Sequence, residues 1–196
     1  IGVTKVVSEE ERKKVVAVIG DSTFLHTGIN GLMDMVYNDV PATVIILDNR
    51  ITAMTGRQEN PASGFTLKDQ PASRIDIAEL CKAMGVRNVR TIDPYDLAAT
   101  KNAIKEEMNR PAPSVIVTDR PCVLVKRAGV FTRGPVLSVM EENCTGCRSC
   151  LKIGCPALVW KTADGKKGKA VIDNLLCSGC DVCRQLCKFE AIERVK

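Results

Sequence analysis

Between residues 15 and 58 the chain reads VVAVIGDSTFLHTGINGLMDMVYNDVPATVIILDNRITAMTGRQ: two short unbroken apolar runs, a helical stretch between them, and polar residues where each run ends. Apolar runs without alternation, 15–19 and 44–47, are what parallel strands covered on both faces require, and 28–37 suits a crossover helix between them. A right-handed crossover makes such strands neighbours or near neighbours in one sheet. Their last residues, Gly20-Asp21-Ser22 from the first and Asp48-Asn49 from the second, then reach the carboxyl edge, where open α/β sheets bind ligands. Asp21 and Asn49 are thereby expected to converge.

A carboxylate, an amide oxygen and a main-chain carbonyl, that of Ile51, suit Mg²⁺, which takes about six oxygens and completes its shell from phosphates and water. Gly20 and Gly28 permit close backbone approach, and a helix starting near Gly28 would turn free N–H groups and a positive dipole end toward a diphosphate. NAD and ATP fit less well, because no G-x-G-x-x-G follows the first run and no G-x-x-x-x-G-K-[ST] occurs anywhere. The plainer reading of the same residues is Asp21 or Ser22 as a helix cap and Asp48-Asn49 as a turn.

Downstream, 60–71 contains Pro61, Gly64 and Pro71 and reads as a long loop over the carboxyl edge. Ile77, Leu80, Cys81 and Met84 recur at helical spacing until Gly85, which makes Cys81 a core thiol. The next unit starts near Val86. Asp93-Pro94 reads as the cap and first-turn proline of a helix through Met108 with Leu97, Ile104 and Met108 inward, and 114–118 is another buried strand. The alternation is βαβαβ, a doubly wound, mostly parallel α/β sheet. Residues 121–133 break it and read as an edge strand and connector, with Cys122 structural.

The chain has 196 residues, 45% of them hydrophobic, enough for one good core and a smaller module. The expected division is a domain over 1–127, a linker over 128–138 and a second domain over 139–196. The charged run Glu9, Glu10, Glu11, Arg12, Lys13 and Lys14 resembles no signal peptide, and no segment approaches a membrane span. A soluble cytoplasmic protein is expected, so its ten cysteines are metal ligands sooner than disulfides.

Eight of those cysteines form two runs: Cys144, Cys147 and Cys150 with Cys155 beyond, then Cys177, Cys180 and Cys183 with Cys187 beyond. The pattern resembles a bacterial two-cluster ferredoxin, a small α+β domain in which three close cysteines and the distant fourth of the other run hold each [4Fe–4S] cube. The resemblance implies one cluster on Cys144, Cys147, Cys150 and Cys187, and another on Cys177, Cys180, Cys183 and Cys155. The first run has one residue more than usual before its last cysteine, and Lys188 stands where proline usually follows. The alternative is two Cys₄ zinc sites, but zinc ribbons pair Cys-x₂-Cys couples and call for no third cysteine two residues on. Between the runs, 158–160 and 170–172 read as strands joined at Asp164-Gly165. Lys161, Lys166, Lys167 and Lys169 around the turn are a docking patch for an acidic ferredoxin or a solvated hairpin tip. Residues 136–196 carry ten basic against seven acidic side chains. Each oxidised cluster with its thiolates adds about two negative charges, and a basic balance that vanishes on loading argues against nucleic acid as a partner.

Gly20-Asp21-Ser22 followed by Asn49 resembles the thiamine diphosphate motif, whose Asp and Asn bind Mg²⁺ with a carbonyl two residues on. That implies Asp21, Asn49 and Ile51 as metal ligands, and Gly20, Asp21, Ser22, Gly28, Asn49 and Thr55 along the cofactor. GDSTFLHTG and Thr55-Gly56-Arg57-Gln58 more narrowly resemble the 2-oxoacid:ferredoxin oxidoreductases, where the latter is commonly Thr-Gly-Gly-Gln. A thiamine domain followed by two clusters resembles in particular the large subunits of the indolepyruvate-oxidising branch. The resemblance implies oxidative decarboxylation of a 2-oxo acid, an arylpyruvate, with coenzyme A taking the acyl group and electrons leaving through the clusters to an external ferredoxin. His26, the single histidine, falls in a loop facing the expected diphosphate and reads as a catalytic residue touching the diphosphate or the reacting carbonyl, the alternative being a satisfied loop or core imidazole. The resemblance also implies a hetero-oligomer with an upstream pyrimidine-binding domain and a small partner subunit. Pyruvate, 2-oxoglutarate or branched-chain 2-oxo acids are the alternative substrates, and an electron-carrying subunit without catalysis is the alternative function.

Overall fold

A computed structural model describes residues 1–125, 133–162 and 167–195, in two compact units, Ile1–Val130 and Phe131–Lys196. The first opens with two short helices, α1 (Gly2–Val6) and α2 (Glu9–Arg12); Ser8 and Glu11 close a capping box at the start of α2. Four strands follow, β1 (Val16–Gly20), β2 (Thr43–Asp48), β3 (Asn88–Ile92) and β4 (Ser114–Asp119), all parallel and in the order β1-β2-β4-β3. Parallel pairing brings all their carboxyl ends to one edge.

The two-residue period of the strands divides their side chains between two cores. Ile46, Val115 and Val117 pack with Phe24, Leu32 and Met35 from the first crossover and with Ile77 and Cys81 of α5 (Ile77–Ala83). Ile45 and Ile116 point the other way, against Ala103 and Ile104 of α6 (Leu97–Met108). The chain steps from β1 to β2 to β3 in one direction and returns to β4, and right-handed crossovers in opposite directions put their helices on opposite faces. The sheet is therefore doubly wound.

Local details differ from the expectations in four places. The covering of β1 is one-sided: Val18 is 61% exposed and Leu47 beside it 42%, because α6 packs chiefly on β3 and β4. The first crossover becomes helical at once, with α3 (Asp21–Thr23), a π-helical turn over Phe24–Gly28 and α4 (Ile29–Tyr37) in one run. Gly28 is thus inside the helix rather than at its amino end. A Cβ there would meet Ile19 Cδ1 at 2.5 Å, so its small size serves helix-to-strand packing. The cap of α6 is Asp96, whose carboxylate accepts from Ala99 N at 2.9 Å; Asp93 instead turns the chain through Tyr95 N and pairs with Arg120. The inward face of α6 also carries a carboxylate, Glu107, 1% exposed and held by Arg90 and Arg110. Finally, 121–125 form no strand, and the rest of that expected edge strand, 126–132, lies outside the described residues.

The second unit is α+β. β5 (Leu137–Val139) pairs antiparallel with β8 (Ile192–Arg194), and β6 (Leu158–Lys161) with β7 (Lys169–Ile172). A 3₁₀ turn over Ser149–Ile153 and α7 (Val182–Leu186) each carry the third cysteine of one run, Cys150 and Cys183. Its core joins Leu137, Ala157, Leu158, Ala170, Ile172 and Ile192 to the buried thiols of Cys150, Cys177 and Cys183. Arg133 ties the start of the unit down by donating to the carbonyls of Asn174, Leu175 and Cys177. The turn expected at Asp164-Gly165, with Lys166, lies outside the described residues.

The two faces of the sheet carry unequal loads. Ile46→Ala, at a fully buried position, should cost the first unit about 3 kcal/mol in urea denaturation, whereas Val18→Ser on the uncovered face should cost less than about 1 kcal/mol.

Candidate functional site

β1 and β2 pair Gly20 with Leu47, so the next residues, Asp21 and Asp48, leave the sheet level with one another. Both are 2% exposed. Asp21 Oδ1 accepts from Ser22 N at 2.6 Å, while Oδ2 is buried and has no hydrogen-bond partner. Burial pushes the Asp21 carboxyl up, and the nearby Ser22 N–H, Asn60 amide and Arg50 N–H only partly offset it. Asp48 is better served: Oδ1 accepts from Arg50 N at 3.2 Å and Oδ2 from Arg74 Nη2 at 2.9 Å. Burial still pushes its carboxyl up to about 6, against the pull of Arg74. Arg50 reaches on to Asp119 at the end of β4 at 2.5 Å, and Arg74 stands 3.9 Å from the same carboxylate.

Ser22 joins this edge through its hydroxyl, which accepts from Thr52 Oγ1 at 2.9 Å. Asn49 folds back on its own chain, Oδ1 accepting from Ile51 N at 3.1 Å, and its carbonyl accepts from Cys122 N. The Asx turn and the metal reading use the same oxygen's two lone pairs, so one does not preclude the other. Thr55 is turned to solvent and closes on Gln58 in both directions, its hydroxyl donating to Oε1 and its carbonyl accepting from Nε2, each at 2.7 Å. Arg57, standing where related motifs carry glycine, has φ +65°, the left-handed conformation that explains the glycine. His26 is exposed on the π-helical turn, created where Ile29 N reaches back to Phe24 O, and not in a loop. The positive dipole end expected near Gly28 belongs instead to Asp21.

A buried carboxylate oxygen without a donor is the place for a cation, and the Asp21 edge fits the Mg²⁺ of a metal–diphosphate pair on that ground. Sequence reasoning missed Arg74, Asn60 and Thr52. They come from the 49–76 segment, which has no periodicity to point them inward.

In the second unit the cysteines sort into two groups. Burial raises the Cys150 thiol, and the other thiols acting on it are those of Cys147, Cys187 and Cys144; all four line one cavity with Trp160. Cys183 is pushed up to about 12 by burial, and its companions are Cys180, Cys155 and Cys177. Cys147 is held below the ordinary thiol range by the hydroxyl and N–H of Ser149. Among the described residues no three His, Cys, Asp or Glu side chains already close on a metal position, so the thiols are gathered without being drawn together. The chemistry of the donors, four sulfurs to a group, fits an iron–sulfur cluster.

The two loops share one backbone pattern. Each reads Cys-x-Gly-Cys, with left-handed Gly146 and Arg148 in the first (φ +69° and +62°) and left-handed Gly179 and Asp181 in the second (φ +72° and +62°). A Cβ on Gly146 would come within 2.7 Å of Gly168 O, and one on Gly179 within 2.4 Å of the Gly134 carbonyl carbon. The strained non-glycines are held by side-chain contacts: Arg148 lies 4.4 Å above the Trp160 ring, and Asp181 accepts from Arg184 and Arg194.

Residues 1–118 match the family model of the thiamine pyrophosphate enzyme, C-terminal TPP binding domain. Over 191 residues the chain is 42% identical to the indolepyruvate oxidoreductase subunit IorA of Pyrococcus horikoshii, covering 95% of this chain and 29% of that protein. With IorA of Archaeoglobus fulgidus the identity is 32% over 198 residues, covering 100% and 31%. The chain thus spans less than a third of the length of these curated relatives. Among solved structures, the 2-oxoglutarate:ferredoxin oxidoreductase of Magnetococcus marinus shares the fold, with a TM-score of 0.52 at 18% identity over 57% of this chain and 42% of that one.

The ion pair at the sheet edge has a definite pH signature. Because the folded protein holds the Asp48 proton more tightly than an unfolded chain, Asp48's contribution to stability is present below about pH 4 and lost as pH rises through about 6. Arg74 limits that loss. With metal chelated, Arg74→Ala should cost about 2 kcal/mol at pH 7.5, discounted for the partly exposed guanidinium, and nearly nothing at pH 4. Equal costs at the two pH values in urea titrations would refute the coupling.

Proposed function

Because the chain belongs to the thiamine pyrophosphate enzymes, we propose that it is the part of a 2-oxoacid:ferredoxin oxidoreductase that holds magnesium and thiamine diphosphate and collects the substrate's electrons on two [4Fe–4S] clusters. The 2-oxo acid is indolepyruvate or a related arylpyruvate, as the names of the IorA relatives suggest. One observation carries the reading: on a single chain, a buried carboxylate oxygen without a partner accompanies eight thiols grouped in fours.

When bound, thiamine diphosphate supplies a carbon nucleophile and electron sink for loss of carbon dioxide, and the clusters supply one-electron carriers. Asp21, Asn49 and the Ile51 carbonyl would hold Mg²⁺, with Gly20 and Ser22 beside the diphosphate. Arg50 and Arg74 compensate the neighbouring Asp48 and Asp119, so that Asp21 alone offers uncompensated charge to the metal. Cys144, Cys147, Cys150 and Cys187 would ligate one cluster, and Cys155, Cys177, Cys180 and Cys183 the other. His26 would polarise the carbonyl of the substrate. Coenzyme A is the acyl acceptor and an external ferredoxin the electron acceptor, in a cytoplasmic hetero-oligomer with a small partner subunit. Among the described residues no helix is long and apolar enough to cross a membrane.

Adding indolepyruvate and coenzyme A anaerobically to the assembled enzyme should produce the EPR signal of reduced clusters only when thiamine diphosphate is present, and faster than pyruvate does. Clusters that stay oxidised with every 2-oxo acid would overturn the proposal. His26→Ala should lower kcat about 10²-fold or more while leaving thiamine diphosphate affinity unchanged; wild-type turnover would remove His26 from the reaction.

A further inference from the structure

Beside the unpartnered Asp21 Oδ2 stands a second buried atom without a partner, and of the opposite kind. Asn60 is 7% exposed and its Nδ2 donor makes no hydrogen bond. Its other atom is committed: Oδ1 accepts from Ala62 N at 2.9 Å, which fixes the amide's orientation and turns the chain at 60–62. The Asn60 amide lies close enough to Asp21 to lower its carboxyl as a donor would, yet Nδ2 and Oδ2 stand outside hydrogen-bond geometry, so neither is satisfied by the other. A buried acceptor and a buried donor that decline each other require external partners of opposite charge. A cation with its anion meets both needs at once.

We propose that Asn60 is a diphosphate ligand of this site: Asp21 Oδ2 takes the metal, and Asn60 Nδ2 donates to an oxygen of the diphosphate that the metal carries. This deepens the thiamine diphosphate reading and rests on it. Asp21 and Asn60 are 39 positions apart in sequence, on opposite sides of the crossover and β2, so the site closes only when the 49–76 segment is folded over the sheet edge. The chemical class recognised is a metal-bound diphosphate, with one neutral donor supplied where a lysine or arginine would compete with the metal for Asp21.

Asn60→Asp separates this role from a structural one. The substitution keeps the shape and the oxygen that accepts from Ala62 N, and replaces the donor by a charged acceptor, the charge being controlled for by Asn60→Gln. In the assembled enzyme, calorimetric titration should give binding of Mg²⁺ alone at least as tight as in the wild type, and binding of thiamine diphosphate at saturating Mg²⁺ weakened about tenfold or more. Asn60→Gln, whose longer amide misplaces the donor, should weaken thiamine diphosphate without raising metal affinity. If Asn60→Asp binds thiamine diphosphate as wild type does, or if its metal and diphosphate affinities fall in the same proportion, Asn60 is not a diphosphate ligand. Failure of the wild-type protein to bind thiamine diphosphate would instead sink the thiamine reading itself, which distinguishes the two.

Discussion

In a strand pair a slip of one residue sends every side chain to the opposite face, and a slip of two moves each by nearly a full pleat along the sheet. The pairing of Gly20 with Leu47 therefore decides what stands at the carboxyl edge of the first unit. With it, Asp21 and Asp48 leave level, one compensated by Arg74 and the other not. What secures the register is the burial behind it: Ile46 faces one core and Ile45 the other, so a slip would have to exchange both. The site's electrostatic asymmetry is a consequence of apolar packing several residues away.

The second unit reaches its arrangement by different means. Its apolar core is small and includes three thiols, and the two loops carry left-handed residues that strain the backbone. The costs are met locally, by close glycine contacts, by the stacking of Arg148 on Trp160 and by the pairing of Asp181 with two arginines. The likeness of the two loops follows from their shared Cys-x-Gly-Cys, since each needs the same turn to bring three sulfurs round one point.

The features legible in the sequence were those set by short-range pattern. The strands at 16–20, 43–48 and 114–119 showed in the sequence as apolar runs at 15–19, 44–47 and 114–118, and the cysteine spacing marked two runs whose crossed fourth members only the resemblance to a ferredoxin implied. Helix ends were less legible. Gly28 looked like a boundary, yet it is an interior residue kept small by Ile19, and Asp93-Pro94 looked like a cap when Asp96 performs that function. The partners of the sheet edge were not legible at all. Arg74, Asn60 and Thr52 are brought there by a segment held by turns and isolated bridges, whose course depends on the sheet below and not on its own residue pattern.

The crossing of the thiol groups has a consequence for how such a chain is made. Each group borrows its fourth sulfur from the other run, Cys187 for the first and Cys155 for the second. While the protein emerges from the ribosome, Cys144, Cys147 and Cys150 must wait for the whole stretch up to Cys187 to be added before their group of four is complete. Neither group of four can therefore close before both runs exist, and the thiols made first stay unpaired the longest.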